Sequence, residues 1–248
     1  MQSLDRGLAV IRAFNADNRE LTLSEVARLT GLSRAAVRRF LLTLEELGYV
    51  GTRGRLFFLK PRVLDLGYAY LSSYSIAHIA QTHLEELAAE LKESCSASVL
   101  DGGNVIYTAR ASTTRIMSIN LSLGHRLPAY VTSMGRVLLA ALKPAELDAY
   151  FRDNELVPLT PYTVTNEAEL RKDLVKVQEQ GYSVIDQELE MGVRSVAAPI
   201  HDVNGEVVAA INVSAHASRV SVMDLTERFL PALLNCAKQI ESDLLIRR

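Results

Sequence analysis

With 248 residues, 48% of them hydrophobic, the chain can bury a substantial core and is long enough for two domains, which excludes a disordered or fibrous protein. The formal net charge of −2 hides an asymmetry: residues 1–62 hold eleven Arg or Lys against six Asp or Glu, and the remainder holds sixteen against twenty-three, so only the first segment suits a polyanion. Apolar runs such as Val137 to Leu142 and Val207 to Ile211 are too short to cross a bilayer, and the N-terminus lacks a signal peptide's hydrophobic region, so a cytoplasmic protein without a membrane partner is expected.

Leu4, Leu8, Ile11 and Phe14 recur at helical spacing and predict a helix over Ser3 to Phe14, closed by the polar run 15–20. A short helix follows over 22–30, capped by Thr22 or Ser24. Gly31 supplies a tight turn, Ser33 is a good N-cap, and Arg34 to Leu47 forms a third helix ended by Gly48. Alternating Tyr49 to Thr52 and Arg55 to Leu59 then flank Arg53-Gly54, the pattern of a two-stranded hairpin turning at the glycine. Together these elements spell a winged helix-turn-helix over residues 1–62, whose third helix enters the major groove of a double-stranded DNA operator. The apolar stripe Val37, Phe40, Leu41, Leu44 and Leu47 must then pack inward. Ser24, Ser33, Arg34, Ala35, Arg38 and Arg39 are the expected DNA-binding residues on the helices, because guanidinium groups pair with guanine or phosphate; Arg53 and Arg55 are expected to reach backbone or minor groove from the hairpin. A solvated basic face on a surface helix is the alternative reading of the same charges.

Pro61 stops the hairpin, and 62–94 is helical with a break around Ser72 to Ser75; its first part, 63–76, reads as a linker helix and the rest opens a second domain over 77–248. His78 and His83 are five apart and do not share a helix face as metal ligands would. Ala97 to Leu100 and Val105 to Arg110 flank the turn 101–104, and Ile116 to Leu121 alternates as a further strand. Helices are predicted over Ser133 to Leu142, Pro144 to Phe151, Leu170 to Gln180 and Val222 to Leu245, with strands at Ser183 to Ile185, Val193 to Ile200 and Val207 to Val213. An antiparallel sheet flanked by helices makes the fold class α+β. Cys95 and Cys236 form no CxxC and read as buried hydrophobes, and no metal or other cofactor is expected. Nor is there a G-x-S-x-G, HExxH, Walker or strand-to-helix G-x-G-x-x-G signature to anchor an enzymatic activity.

The segments SLDRGLAVIRAF, LTLSEVARLTGLSRAAVRRFLLTLEELGYV, LGHRLPAYVTSMGRVLLA, GYSVIDQELEMGVRSVAAPI and AAINVS resemble the IclR family of bacterial transcriptional regulators over essentially the whole chain. The segment ARASTTRIMSINLSLGHRLPAYVTSMGRVLLA is similar to the PcaR/PcaU/PobR-like branch, which controls protocatechuate, 4-hydroxybenzoate and β-ketoadipate catabolism. The resemblance implies a winged helix-turn-helix, a linker helix and a GAF-like effector-binding domain, assembled as a homodimer or dimer of dimers. It also implies an effector pocket walled by Ser133, Met134, Gly135, Val193, Ser195, Asn212 and Ser214.

The chemistry of those residues suits a small organic acid such as β-ketoadipate or protocatechuate. A helix starting near Thr132 or Ser133 offers free N–H groups and a positive dipole end to a carboxylate. Ser195, Asn212 and Ser214 add short polar groups, and Asn212 and Ser214, two apart, share a sheet face. Met134 can shape the pocket for a flat or longer acid, Arg136 is expected to pack structurally or pair with a carboxylate, and Arg110, Arg115 and Arg194 are candidate anion partners. The expected function is therefore a ligand-responsive regulator in which the acid shifts operator affinity or contact with RNA polymerase. Two alternatives stand beside it: a constitutive repressor whose second domain only oligomerises, and a metabolite-binding enzyme with an accessory DNA-binding head.

Overall fold

The structure, a computed structural model, describes residues 2–73, 75–112 and 122–246. The predicted strand at Ile116 to Leu121 and the candidate Arg115 lie outside them. By internal packing the chain divides into two compact units, Met1–Ser73 and Tyr74–Arg248.

In the first unit, α1 (Gln2–Arg12), α2 (Leu23–Thr30) and α3 (Arg34–Glu46) pack around Val10, Phe14, Val26, Val37 and Leu41. Of the predicted stripe of α3, Val37, Phe40, Leu41 and Leu44 face inward, whereas Leu47, at the helix C-cap, is 51% exposed. Thr22, not Ser24, caps α2: its hydroxyl accepts the Glu25 N–H at 3.3 Å while the Glu25 carboxylate accepts the Thr22 N–H at 2.7 Å. Ser24 stands exposed in the first turn. Gly31 ends α2 at φ +68, a left-handed conformation that permits the sharp turn into α3.

The hairpin pairs β2 (Val50–Arg53) with β3 (Leu56–Leu59), and its turn falls at Gly54-Arg55, one residue later than the sequence pattern suggests. A third strand that the pattern did not show, β1 (Glu20–Thr22), pairs with the other edge of β3, giving the order β1-β3-β2. A 3-10 turn at Pro61–Val63 leads into α4 (Leu64–Ser73).

Among its described residues, the second unit is an antiparallel sheet in the order β6-β5-β4-β9-β8-β7, from β4 (Ser94–Asp101), β5 (Asn104–Ala111), β6 (Arg126–Pro128), β7 (Ser183–Asp186), β8 (Val193–His201) and β9 (Val207–His216). One face carries α5 (Ser75–Leu91) and α10 (Leu230–Ile246); the other carries α6 (Ser133–Ala140), α7 (Pro144–Asp153) and α8 (Glu167–Gln180). Cover on both sides explains why β9 opens with the apolar run Val207 to Ile211. Ala209, Ile211, Val213 and Ala215 enter the α5–α10 core, and Ala210 enters the α6–α8 core. The single predicted terminal helix is interrupted: α9 (Val222–Asp224) passes through a π-helical turn at Leu225–Phe229 before α10, which seats Leu225 and Phe229 in the core.

Candidate functional site

Two regions carry the chemistry, one in each unit. At the start of α3 the Ser33 hydroxyl accepts the Ala36 N–H at 3.3 Å, and Ser33, Arg34, Ala35, Arg38 and Arg39 are all exposed. None of these arginines is held in an ion pair among the described residues. Helical spacing puts them on two flanks. Arg34 and Arg38 share the flank of Glu45, whose carboxylate accepts the Thr52 hydroxyl of β2 at 2.7 Å. Arg39 lies on the α1 side, where Ser3, Arg6, Ala36, Arg39, Phe40 and Thr43 line a notch of about 330 Å³. Ser3, Arg6 and Thr43 were not singled out in the sequence; the available signal was the i, i+3 spacing of Ser3 and Arg6.

On the hairpin, Arg53 lies over the Phe58 ring at 5.6 Å and donates to Glu20 on β1 at 3.0 Å. Gly51 makes room for that ring, since a Cβ there would sit 2.6 Å from it. The pair is exposed, so its worth is about 0.2–1 kcal/mol and Arg53 can exchange it for a phosphate. Arg55 projects from the turn, exposed.

In the second unit, strand register gathers small polar side chains on the sheet face that α6 covers. Ser195, Ser214 and Ser94 form one row across β8, β9 and β4; Ala197, Asn212, Ser96 and Arg110 form the next, extended onto β5. The signal for Ser94 and Ser96 was the period-two run SCSASV, which sequence reading passed over. The Ser133 and Ser195 hydroxyls meet at 2.8 Å, tying the first turn of α6 to this patch. The Thr132 hydroxyl accepts the Gly135 N–H at 3.1 Å and its carbonyl accepts the Arg136 N–H at 2.9 Å, leaving the Ser133 and Met134 N–H groups as the donors the cap does not take. Asn212, 4% exposed, donates through Nδ2 to the Ser214 hydroxyl at 3.0 Å, and its Oδ1 is buried without a hydrogen-bond partner. A buried amide oxygen left so costs about 1–3 kcal/mol.

The other predicted residues take different places. Met134 is fully buried in the α6 core, its sulfur accepting the Ser98 hydroxyl at 3.3 Å. Gly135 is a packing residue, because a Cβ there would lie 2.0 Å from the Ala129 carbonyl oxygen. Val193 opens β8 opposite His216, half-buried. Arg194 is committed to Asp186 at 2.9 Å and to the Val220 carbonyl at 2.8 Å. Arg136 is buried and satisfied by the Tyr130 carbonyl at 2.9 Å, Asp173 at 3.2 Å and Glu188 at 2.5 Å. Burial pushes the Glu188 carboxyl above its ordinary pKa, against the opposing pull of Arg136 and the Val164 N–H. No described group of three His, Cys, Asp or Glu is placed to hold a metal, and no described helix is long and apolar enough to cross a membrane.

A separate cleft of about 440 Å³ opens at the C-terminal end of α6, lined by Val137, Ala141, His201, Val207, Lys238 and Glu241 among others. It contains none of the predicted effector residues.

A basic winged helix-turn-helix followed by an α+β unit whose sheet carries a buried polar patch defines a DNA-binding protein with an effector-type domain. The IclR helix-turn-helix domain matches residues 3–54, and the bacterial transcriptional regulator IclR C-terminal domain matches residues 68–242. The chain belongs to the IclR family of bacterial transcriptional regulators. It is 46% identical to the Pca regulon regulatory protein of Pseudomonas putida over 97% of this chain and 83% of that protein. The crystal structure of a putative transcriptional regulator from Rhodococcus sp. RHA1, 51% identical, superposes with a TM-score of 0.89 and full coverage of both chains. A double mutant of the inducer-binding domain of Acinetobacter PobR, in complex with 3-hydroxybenzoic acid, is 33% identical with a TM-score of 0.63, covering 66% of this chain and 96% of that one.

Proposed function

We propose that this regulator binds a pseudo-palindromic operator as a homodimer or dimer of dimers in the cytoplasm and controls genes of aromatic-acid catabolism in response to a small organic acid. Ser33, Arg34, Ala35 and Arg38 read the major groove, with Ser24 at the start of α2 and Arg53 and Arg55 on the hairpin against the backbone. The notch beside Arg39 takes a phosphate, with Ser3, Arg6 and Thr43 as its other walls. The acid sits on the sheet beneath α6, its carboxylate on the Ser133 and Met134 N–H groups, and biases operator affinity or contact with RNA polymerase.

The observation that carries the effector assignment is the buried patch Ser195, Asn212, Ser214 with an unsatisfied amide oxygen at its centre. An amide kept there without a partner fits a ligand site better than a core, which is why the larger cleft at the far end of α6 is passed over. The names of the Pseudomonas and Acinetobacter relatives support the aromatic assignment.

A thermal-shift screen of the full chain against 4-hydroxybenzoate, protocatechuate and β-ketoadipate, repeated with Ser214→Ala, tests this. A ligand that binds only the folded state at about 100 times its Kd adds about 2.7 kcal/mol and raises the melting temperature. The shift should shrink in the variant. No shift from any acid would leave the constitutive repressor.

A further inference from the structure

We infer that the cleft at the C-terminal end of α6 is a second small-molecule site, separate from the polar patch, and that it takes an organic anion with an apolar body. It stands apart from the effector site proposed above, because none of the residues assigned there lines it. At about 440 Å³ the cleft falls within the size range of ligand sites and has their make-up, largely apolar walls with a few polar groups gathered on one side. Val137 of α6 and Val177 of α8 form the apolar wall on one face of the sheet. Leu234 of α10 extends it from the other face and is left 37% exposed.

The charged side is built by α10 and the end of β8. Lys238 and Glu241 stand three apart on α10, a spacing at which opposite charges ordinarily pair. Here they do not. The Glu241 carboxylate instead accepts the His201 backbone N–H at 2.8 Å and bonds Nδ1 of the ring at 2.7 Å, and opposite a carboxylate Nδ1 is the nitrogen that donates. This dyad fixes the imidazole and leaves its Nε2 without a partner among the described residues; it also leaves the Lys238 ammonium without an ion pair there. A carboxylate on a hydrophobic body matches both features: the body covers Val137, Val177 and Leu234, and Lys238 takes the charge. Glu206, on the exposed turn before β9, also lines the cleft and would favour a cation, so two probes of one shape and opposite charge decide between them.

The test is isothermal titration of the full-length protein with 2-naphthoate and 2-naphthylmethylamine, and with acetate, which has the charge and no apolar body. The wild type should bind naphthoate at least about tenfold more tightly than the amine or acetate, a comparison that needs no variant. Lys238→Ala should weaken naphthoate by about tenfold or more. Ala141→Trp, which fills the cleft from an exposed position at the end of α6, should remove the binding. Both variants are checked for folding by circular dichroism. Ser214→Ala, near the other end of α6, should leave naphthoate binding unchanged. The inference is overturned if naphthoate does not bind, if the amine or acetate matches it, or if either cleft variant keeps the wild-type affinity. It is overturned equally if Ser214→Ala weakens naphthoate as Lys238→Ala should, which would put the probe on the polar patch. In none of these cases does the effector site proposed above fall.

Discussion

Helix α3 starts at the Ser33 cap and leaves Arg34, Arg38 and Arg39 exposed, whereas α6 starts at the Thr132 cap and sinks Arg136 between Glu188, Asp173 and the Tyr130 carbonyl. The same side chain in helices that begin alike is available in one case and consumed in the other. What differs is the acidic content opposite. Near the start of α3 no carboxylate among the described residues pairs with the guanidinium groups, so phosphate can take them at little desolvation cost. Around Arg136 two carboxylates distant in sequence converge with the nearby Tyr130 carbonyl, and the charge is a fastening.

This contrast is broken most severely at Arg136. Arg136→Ala leaves Glu188 buried without its counterion, and chemical denaturation should show a loss of about 3–5 kcal/mol in the second unit. A loss under about 1 kcal/mol would mean that the cluster is solvated. Arg38→Ala should leave stability unchanged and weaken operator binding by about 1–3 kcal/mol, with relaxed preference at one base pair. Anisotropy titrations across a salt series separate it from Arg39→Ala, for which the expected change is a salt slope shallower by about one unit at uniform sequence preference. If both variants behave alike, the two flanks of α3 do not divide their work.

The smallest effect expected is a pH dependence at Glu188. Its folded-state pKa is raised by burial, so the folded protein holds that proton to higher pH than the unfolded chain does. The stability it contributes is present at low pH and is lost as pH rises through the raised value. Denaturation curves for wild type and Glu188→Gln between about pH 4 and about pH 8 should show the wild type losing ground to the variant as pH increases. A wild type that gains ground instead would show that Arg136, and not burial, governs the carboxyl.

How far these features can be read from sequence follows the range of the interactions. Gly31 and Ser33 act on their own turns, and the boundaries of α2 and α3 were therefore legible. So was the shared face of Asn212 and Ser214, because alternation in a strand is local. β1 was not: three residues cannot show a period, and Glu20–Thr22 is a strand only because β3 pairs with it. The Thr22 cap was one of two candidates, settled by which hydroxyl meets the Glu25 N–H. The contacts that fasten α6 over the proposed effector patch are longer still. Ser133 meets Ser195 across 62 positions and Arg136 meets Glu188 across 52, and nothing in either segment alone names its partner. The family resemblance supplied the first set of wall residues, but not their division of labour: Met134 and Gly135 support the helix, while Ser133, Ser195, Asn212 and Ser214 present polar groups.

The close approach of Gly135 to the Ala129 backbone has a practical consequence for anyone retuning this protein as a biosensor. A methyl group at position 135 would displace the first turn of α6 whatever compound is sought, so a mutagenesis library should hold that codon constant. Diversity belongs at Asn212 and Ser214, on a strand hydrogen-bonded at both edges, whereas Ser195 holds Ser133 at 2.8 Å and ties down that same first turn.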